Sequence, residues 1–155
     1  MTQENPPGTY ILNAELSDHR AIKVGSLGSV AFKKGYYLYV GSALSGLQSR
    51  LQRHLRMEKS LHWHIDYLLQ YASVREILYH VGPEQYECAW ADILHRMPGI
   101  EPSEAAFGAS DCDCRTHLFY TKSASSIKAF REVLQKDTSL RKLVVSLGDP
   151  TEVDL

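Results

Sequence analysis

Cysteine is scarce in this chain: three residues, two of them one position apart, do not make a disulfide framework. No apolar run approaches the length needed to cross a bilayer, so no membrane association is expected. The opening MTQENPPGTY has neither the basic nor the apolar region of a secretion signal, and the chain reads as cytoplasmic. Repeats, low-complexity tracts and interdomain linkers are missing as well. A length of 155 residues then suits a single domain, residues 1–155, large enough to bury one core. Charge of one sign is also lacking. With a net charge of −1, any contact with nucleic acid must come from a local basic face. What is present, 44% hydrophobic and 23% charged residues, excludes a disordered chain.

Along the chain, GTYILNAEL (8–16) is rich in β-branched and aromatic residues after Pro-Pro-Gly and predicts a strand. Residues 21–35 predict two short strands around a Gly-Ser turn, and YYLYVG a further strand. Leu47, Leu51 and Leu55 make one apolar stripe on a helix over 46–57. A second helix is expected over 61–71, with Ser60 as N-cap and Leu61, Ile65, Leu68 and Leu69 inward. SVREILYHV (73–81) predicts a strand, and 83–97 a helix opened by Pro83. THLFYTK (116–122) predicts a strand, followed by helices from about 125 to 146. The mixture is an α/β (α+β) domain: a small central sheet flanked by helices, with a core over 8–122 and C-terminal helices over 123–147.

Within 48–59, Arg50, Arg53, Arg56 and Lys59 stand against Glu58 alone. At about 100° per residue, Arg50 and His54 fall beside the leucine stripe, whereas Arg53 and Arg56 fall toward solvent. An arginine at the edge of a buried stripe is held in place, and its planar fork suits two phosphate oxygens. Arg53, Arg56 and Lys59 are expected to act as steering charges toward DNA, or simply as a solvated helix face.

GTY at 8–10, YVG at 39–41 and LQSRLQRH at 47–54 together resemble the two tripeptides and the arginine-bearing helix of the GIY-YIG nuclease superfamily. KGYYLYVGSA, HWHIDYLL and FGASDCDCRTHLFY are similar to an uncharacterised prokaryotic branch of it. The resemblance implies a GIY-YIG-like fold and hydrolysis of DNA phosphodiester bonds with a single Mg²⁺ or Mn²⁺. It implies that Tyr10 and Tyr39 sit on adjacent strands facing the phosphate, one helping to deprotonate water and the other orienting it. Arg50 would neutralise transition-state charge, and His54 would handle a proton. A glutamate on a later helix would hold the metal. The chain departs from the family pattern twice: residues 11–38 separate the tripeptides, which a short hairpin usually joins, as though an extra strand pair had been inserted, and Gly46 lengthens the turn before Leu47.

On the 83–97 helix, Tyr86, Trp90, Ile93, Leu94 and Met97 define the buried stripe. Glu87 lies at its edge, while Glu84 and Asp92 point away, so Glu87 is the expected metal carboxylate. DCDCRTH brings Cys112, Cys114 and His117 close together, with His62, His64 or Asp111 available as a fourth zinc ligand. Buried packing of the two cysteines, the commoner fate of such residues, and a polar cluster of Asp111 and His117 at the active site are the other open readings. Cys88 is expected in the core. Trp63, His64, Tyr67 and Tyr71 offer either core packing or base stacking.

Two readings compete with the nuclease. A non-catalytic nucleic-acid-binding module would keep the scaffold without cutting, and a protein-interaction domain would use the Ile127, Phe130, Val133 and Leu134 stripe. The family's nucleases commonly carry a separate DNA-binding domain, so a partner protein supplying specificity is expected for a chain this short.

Overall fold

The GTYILNAEL segment is buried at nearly every position, Thr9 and Asn13 included, as a strand covered on both faces is. In the computed structural model, which describes residues 5–56, 59–61, 63–103, 116–137 and 140–144, this segment is the strand β1 (Gly8–Leu16) near the middle of a six-stranded sheet. The elements that follow are β2 (Arg20–Lys23), β3 (Ser29–Phe32), β4 (Gly35–Ala43), α1 (Leu47–Leu55), α2 (His64–Leu68) and β5 (Ser73–Val81). After these come α3 (Glu87–Arg96), β6 (Glu101–Pro102), β7 (Leu118–Thr121), α4 (Ala124–Asp137) and β8 (Arg141–Val144). The sheet order is β6-β7-β4-β1-β5-β8, and all neighbours are antiparallel. The expected α+β architecture is therefore observed.

Side chains alternate across the sheet. Tyr10, Leu12, Ala14 and Leu16 of β1 join a core with α1, α2 and the β2–β3 ribbon, through Leu47, Leu51, Ile65, Leu68, Ile22, Val24 and Phe32. Ile11 faces the other way, into a second core with Trp90 and Leu94 of α3 and Ile127, Phe130 and Leu134 of α4. The α4 stripe is thus packed inside. A nine-residue helix such as α1 is marginal alone. Burial of Leu47 and Leu51 contributes roughly 1.5–3 kcal/mol each and fixes it on the sheet.

The insertion between the two tripeptides is a separate two-stranded sheet, β2–β3, as its pattern suggests. Several boundaries differ from expectation. The second helix starts at His64, not 61: the Trp63 N–H donates to Asp66 Oδ2 at 2.9 Å, while Ser60 and Leu61 are exposed. The third starts at Glu87 because the preceding segment is pinned sideways. Thr9 Oγ1 donates to the Glu84 carbonyl and accepts from Tyr86 N–H, and His80 bonds Glu84. Cys88 is exposed rather than in the core. Residues 141–144 form a strand, not helix, because β5 offers them an open edge.

Candidate active site

β1 and β4 run antiparallel with Tyr10 opposite Gly41 and Leu12 opposite Tyr39. Tyr10 and Tyr39 are therefore diagonal neighbours on one face, as the resemblance implies for adjacent strands. Gly41 makes room for this: a Cβ there would overlap the Tyr10 ring and hydroxyl. β4 then turns sharply into α1. Gly46, with φ +140°, takes a conformation that side chains avoid, and a Cβ on it would overlap Asn5. Leu47 N–H donates to the Pro6 carbonyl at 2.8 Å. The added glycine thus sets the direction in which α1 leaves the sheet.

That direction brings His54 back over β1. His54 is 2% exposed, and its Nε2 lies 2.7 Å from the Tyr10 hydroxyl. Its ring centroid is 6.1 Å from that of Tyr39. Burial pushes His54 down to about 3, and the Lys59 cation adds to the effect, so the imidazole is neutral at ordinary pH. Burial also pushes both phenols well above the ordinary tyrosine range. Either Tyr10 donates to Nε2 or Nε2–H donates to Tyr10; in both cases buried His54 Nδ1 has no hydrogen-bond partner among the described residues.

Arg50 is half-buried beside this pair. One of its Nη atoms donates to the Ser42 carbonyl at 3.1 Å, and its guanidinium sits 4.6 Å from the Trp63 ring centroid. It draws the Tyr10 pKa down through both its charge and a hydrogen bond, against the larger effect of burial. No carboxylate pairs with Arg50 among the described residues.

Arg53 is different, and corrects the expectation that it faces solvent. Its two Nη atoms grip both oxygens of Asp66 at 2.9 Å, and one also donates to the Ser60 carbonyl. Asp66 is 0% exposed. Lys59, 4% exposed at its side chain, donates to the Arg53 and His54 carbonyls at the end of α1 and lies 3.9 Å from Asp66. Burial pushes Lys59 down to about 8. Of the three expected steering charges, Arg56 alone is exposed. Ser49, Arg53, Arg56, Lys59 and Ser60 line an open depression of about 600 Å³.

Glu87 completes the group from the far side of the sheet. The α3 helix packs on the face opposite Tyr10, yet Glu87, in its first turn, acts electrostatically on both Tyr10 and Tyr39 and raises their pKa values. The carboxylate is 20% exposed at its side chain, and Oε1 meets His117 Nδ1 at 2.9 Å. His117, 1% exposed, is held in turn by its carbonyl, which accepts from Val40 N–H at 2.9 Å. So Tyr10, Tyr39, Arg50 and His54 gather on one face of the sheet, while Glu87, bonded to His117, reaches the two phenols through its charge.

This donor set fits Mg²⁺ or Mn²⁺ in a limited sense. Such ions accept one protein carboxylate together with substrate phosphate oxygens and waters, and Glu87 is a half-buried, oriented carboxylate of that kind. Among the described residues, no cluster of three or more His, Cys, Asp or Glu could hold a metal unaided. Cys112, Cys114, Asp111 and His62 of the zinc reading lie outside the described residues. His64 is half-buried at the start of α2, and His117 Nδ1 faces Glu87.

Asp66 is not singled out by the sequence, and Trp63 only for core packing or base stacking rather than as a partner of Arg50 and Arg53. The signal was there: an acid between Ile65 and Leu68 on an apolar face, three residues after Trp63 at capping-box spacing.

No curated protein and no solved structure matches the chain. A family whose description is "Domain of unknown function DUF123" matches residues 9–139, a stretch that spans the whole constellation from Tyr10 to His117. The chain belongs to the DUF123 family.

Proposed function

We propose that this domain is a divalent-metal-dependent endonuclease that hydrolyses DNA phosphodiester bonds. The observation that carries the reading is an arginine without a carboxylate partner among the described residues beside a buried phenol, a half-buried phenol and a neutral imidazole, with an oriented carboxylate whose charge reaches both phenols. A pure binding module has no need of Glu87, whose negative charge opposes phosphate binding.

Arg50 is the group that meets the phosphate. It is fixed by Ser42 and Trp63, so its fork is already placed when charge builds on the phosphoryl oxygens. Tyr39 and Tyr10 flank the reacting atoms as protonated phenols. At rest the proton of Tyr10 belongs on oxygen by a wide margin, because the His54 partner is held at about 3. Tyr10 becomes a base only as positive charge gathers around it, and Arg50 already acts in that sense. His54 fixes the orientation of the Tyr10 hydroxyl and is the nearest acceptor for its proton. Glu87 is the residue that would hold the cation, which when bound supplies Lewis acidity toward the phosphoryl oxygen and toward water.

The test is cleavage of plain, branched and damaged duplex DNA with Mg²⁺ or Mn²⁺. Wild type should cut at least one of them, chelator should abolish cutting, and Arg50→Ala should slow it by about 10²–10³-fold. Binding of all three substrates with no cutting of any would replace the enzyme by a non-catalytic module.

A further inference from the structure

His117 was drawn from the sequence as a candidate zinc ligand or part of a polar cluster, and the reaction above makes no use of it. Its placement is nevertheless among the most constrained in the molecule. It immediately precedes β7, its carbonyl is bonded to β4 one residue beyond Tyr39, and its ring is 1% exposed. From there Nδ1 meets Glu87 Oε1 at 2.9 Å, joining the strand that carries a catalytic tyrosine to the helix that carries the carboxylate.

We propose that His117 is a positioning residue for Glu87, resting on the nuclease reading. Its Nδ1–H occupies Oε1 and leaves Oε2 as the oxygen available to a hard divalent cation. Three features argue for this role over simple packing. Glu87 is in the first turn of α3, where no preceding helical turn restrains its side chain. The helix packs on the opposite face of the sheet, so the carboxylate needs a tether to stay near the phenols. And a carboxylate with one oxygen engaged loses less rotamer freedom when it takes a cation. Histidine–carboxylate pairs of this kind tune ligands elsewhere, and their loss typically costs about 10–100-fold in metal affinity or activity. The pairing also gives the His of DCDCRTH a task that needs no zinc.

The experiment uses the full chain with saturating duplex DNA, whose phosphates complete the coordination shell, and Mn²⁺ as probe, with binding measured by electron paramagnetic resonance or calorimetry. His117→Phe keeps ring volume and removes the donor; His117→Asn keeps an amide N–H close to the position of Nδ1. His117→Ala removes the donor without demanding space, should the phenyl ring not be accommodated. Glu87→Gln defines which binding belongs to the site. The expected result is Mn²⁺ affinity weakened about 10–100-fold in His117→Phe or His117→Ala, and largely restored in His117→Asn, at metal-free DNA affinity equal to wild type. Folded donor-less variants that bind Mn²⁺ like wild type would overturn the proposal alone, as would a folded His117→Asn no better than they are. A wild-type DNA complex with no Glu87-dependent Mn²⁺ binding would overturn the nuclease reading and this proposal with it.

Discussion

His54 shows how one buried side chain couples the site to stability. Its pKa is about 3 in the folded protein against an ordinary 6.5, and burial is the main cause. Below pH 6.5 the unfolded chain takes up a proton that the folded chain refuses, so stability is complete above that value and falls toward pH 3. Between pH 7.5 and about pH 4.5 this one residue should remove about 2–3 kcal/mol. His54→Gln, uncharged and still able to bond Tyr10, should lose that much less over the same range. Urea denaturation of both proteins at the two pH values checks it; parallel pH profiles would show that His54 is protonated in the fold. The same residue sets what can be asked of Tyr10. A phenol raised by burial and facing a neutral imidazole is a proton holder at rest, which is why Arg50 matters beyond phosphate binding.

At the scale of elements, the pairing of β1 with β4 decides whether Tyr10 is usable. Gly41 lies opposite Tyr10, and its missing side chain is the space in which the phenol ring lies. Gly41→Ala should destabilise by about 1–3 kcal/mol through overpacking and abolish cleavage by pushing the ring off His54. In a Tyr10→Ala background the same substitution should be close to neutral, and a double-mutant cycle by urea denaturation measures the difference. Additive effects would mean that the ring and the glycine do not compete for space. Strands of this kind were legible in the sequence. β1 and β5 follow directly from their β-branched and aromatic content, and the helical phase of α1 placed Arg50 and His54 correctly beside the leucine stripe. Helical phase likewise puts Glu87 at the edge of the Trp90–Leu94 stripe, and its side chain is 20% exposed there. Helix starts were less legible, because side chains from distant elements set them: Thr9 and His80 hold residues 84–86 out of α3. The same limit explains Arg53. Its helical phase points outward, but α2 crosses in front of it and brings Asp66. A tertiary crossing leaves no trace in the periodicity of either helix.

Over the whole molecule, that crossing redistributes the charge available to DNA. The chain as a whole carries −1, so affinity depends on a few local cations. Arg53 and Lys59 surround the fully buried Asp66, and their head groups are occupied by it and by backbone carbonyls. This leaves Arg50 at the centre of the site and exposed Arg56 at its margin as basic residues of this helix without a carboxylate partner among the described residues. Counterion release on duplex DNA scales as about 0.9 per neutralised phosphate. Arg56→Ala should therefore flatten the plot of log affinity against log salt concentration by about one unit, with stability unchanged. Arg53→Ala should act the other way, leaving the salt slope in place and destabilising the fold by about 2–4 kcal/mol, because it removes the bidentate partner of a buried carboxylate that keeps the Trp63 N–H and the more distant Lys59. Fluorescence anisotropy over a salt series and urea denaturation of the same two variants give both quantities. If Arg53→Ala flattened the slope and left stability intact, Asp66 would be releasing Arg53 to the phosphate backbone in the complex, and α1 would present a row of three arginines to DNA instead of two.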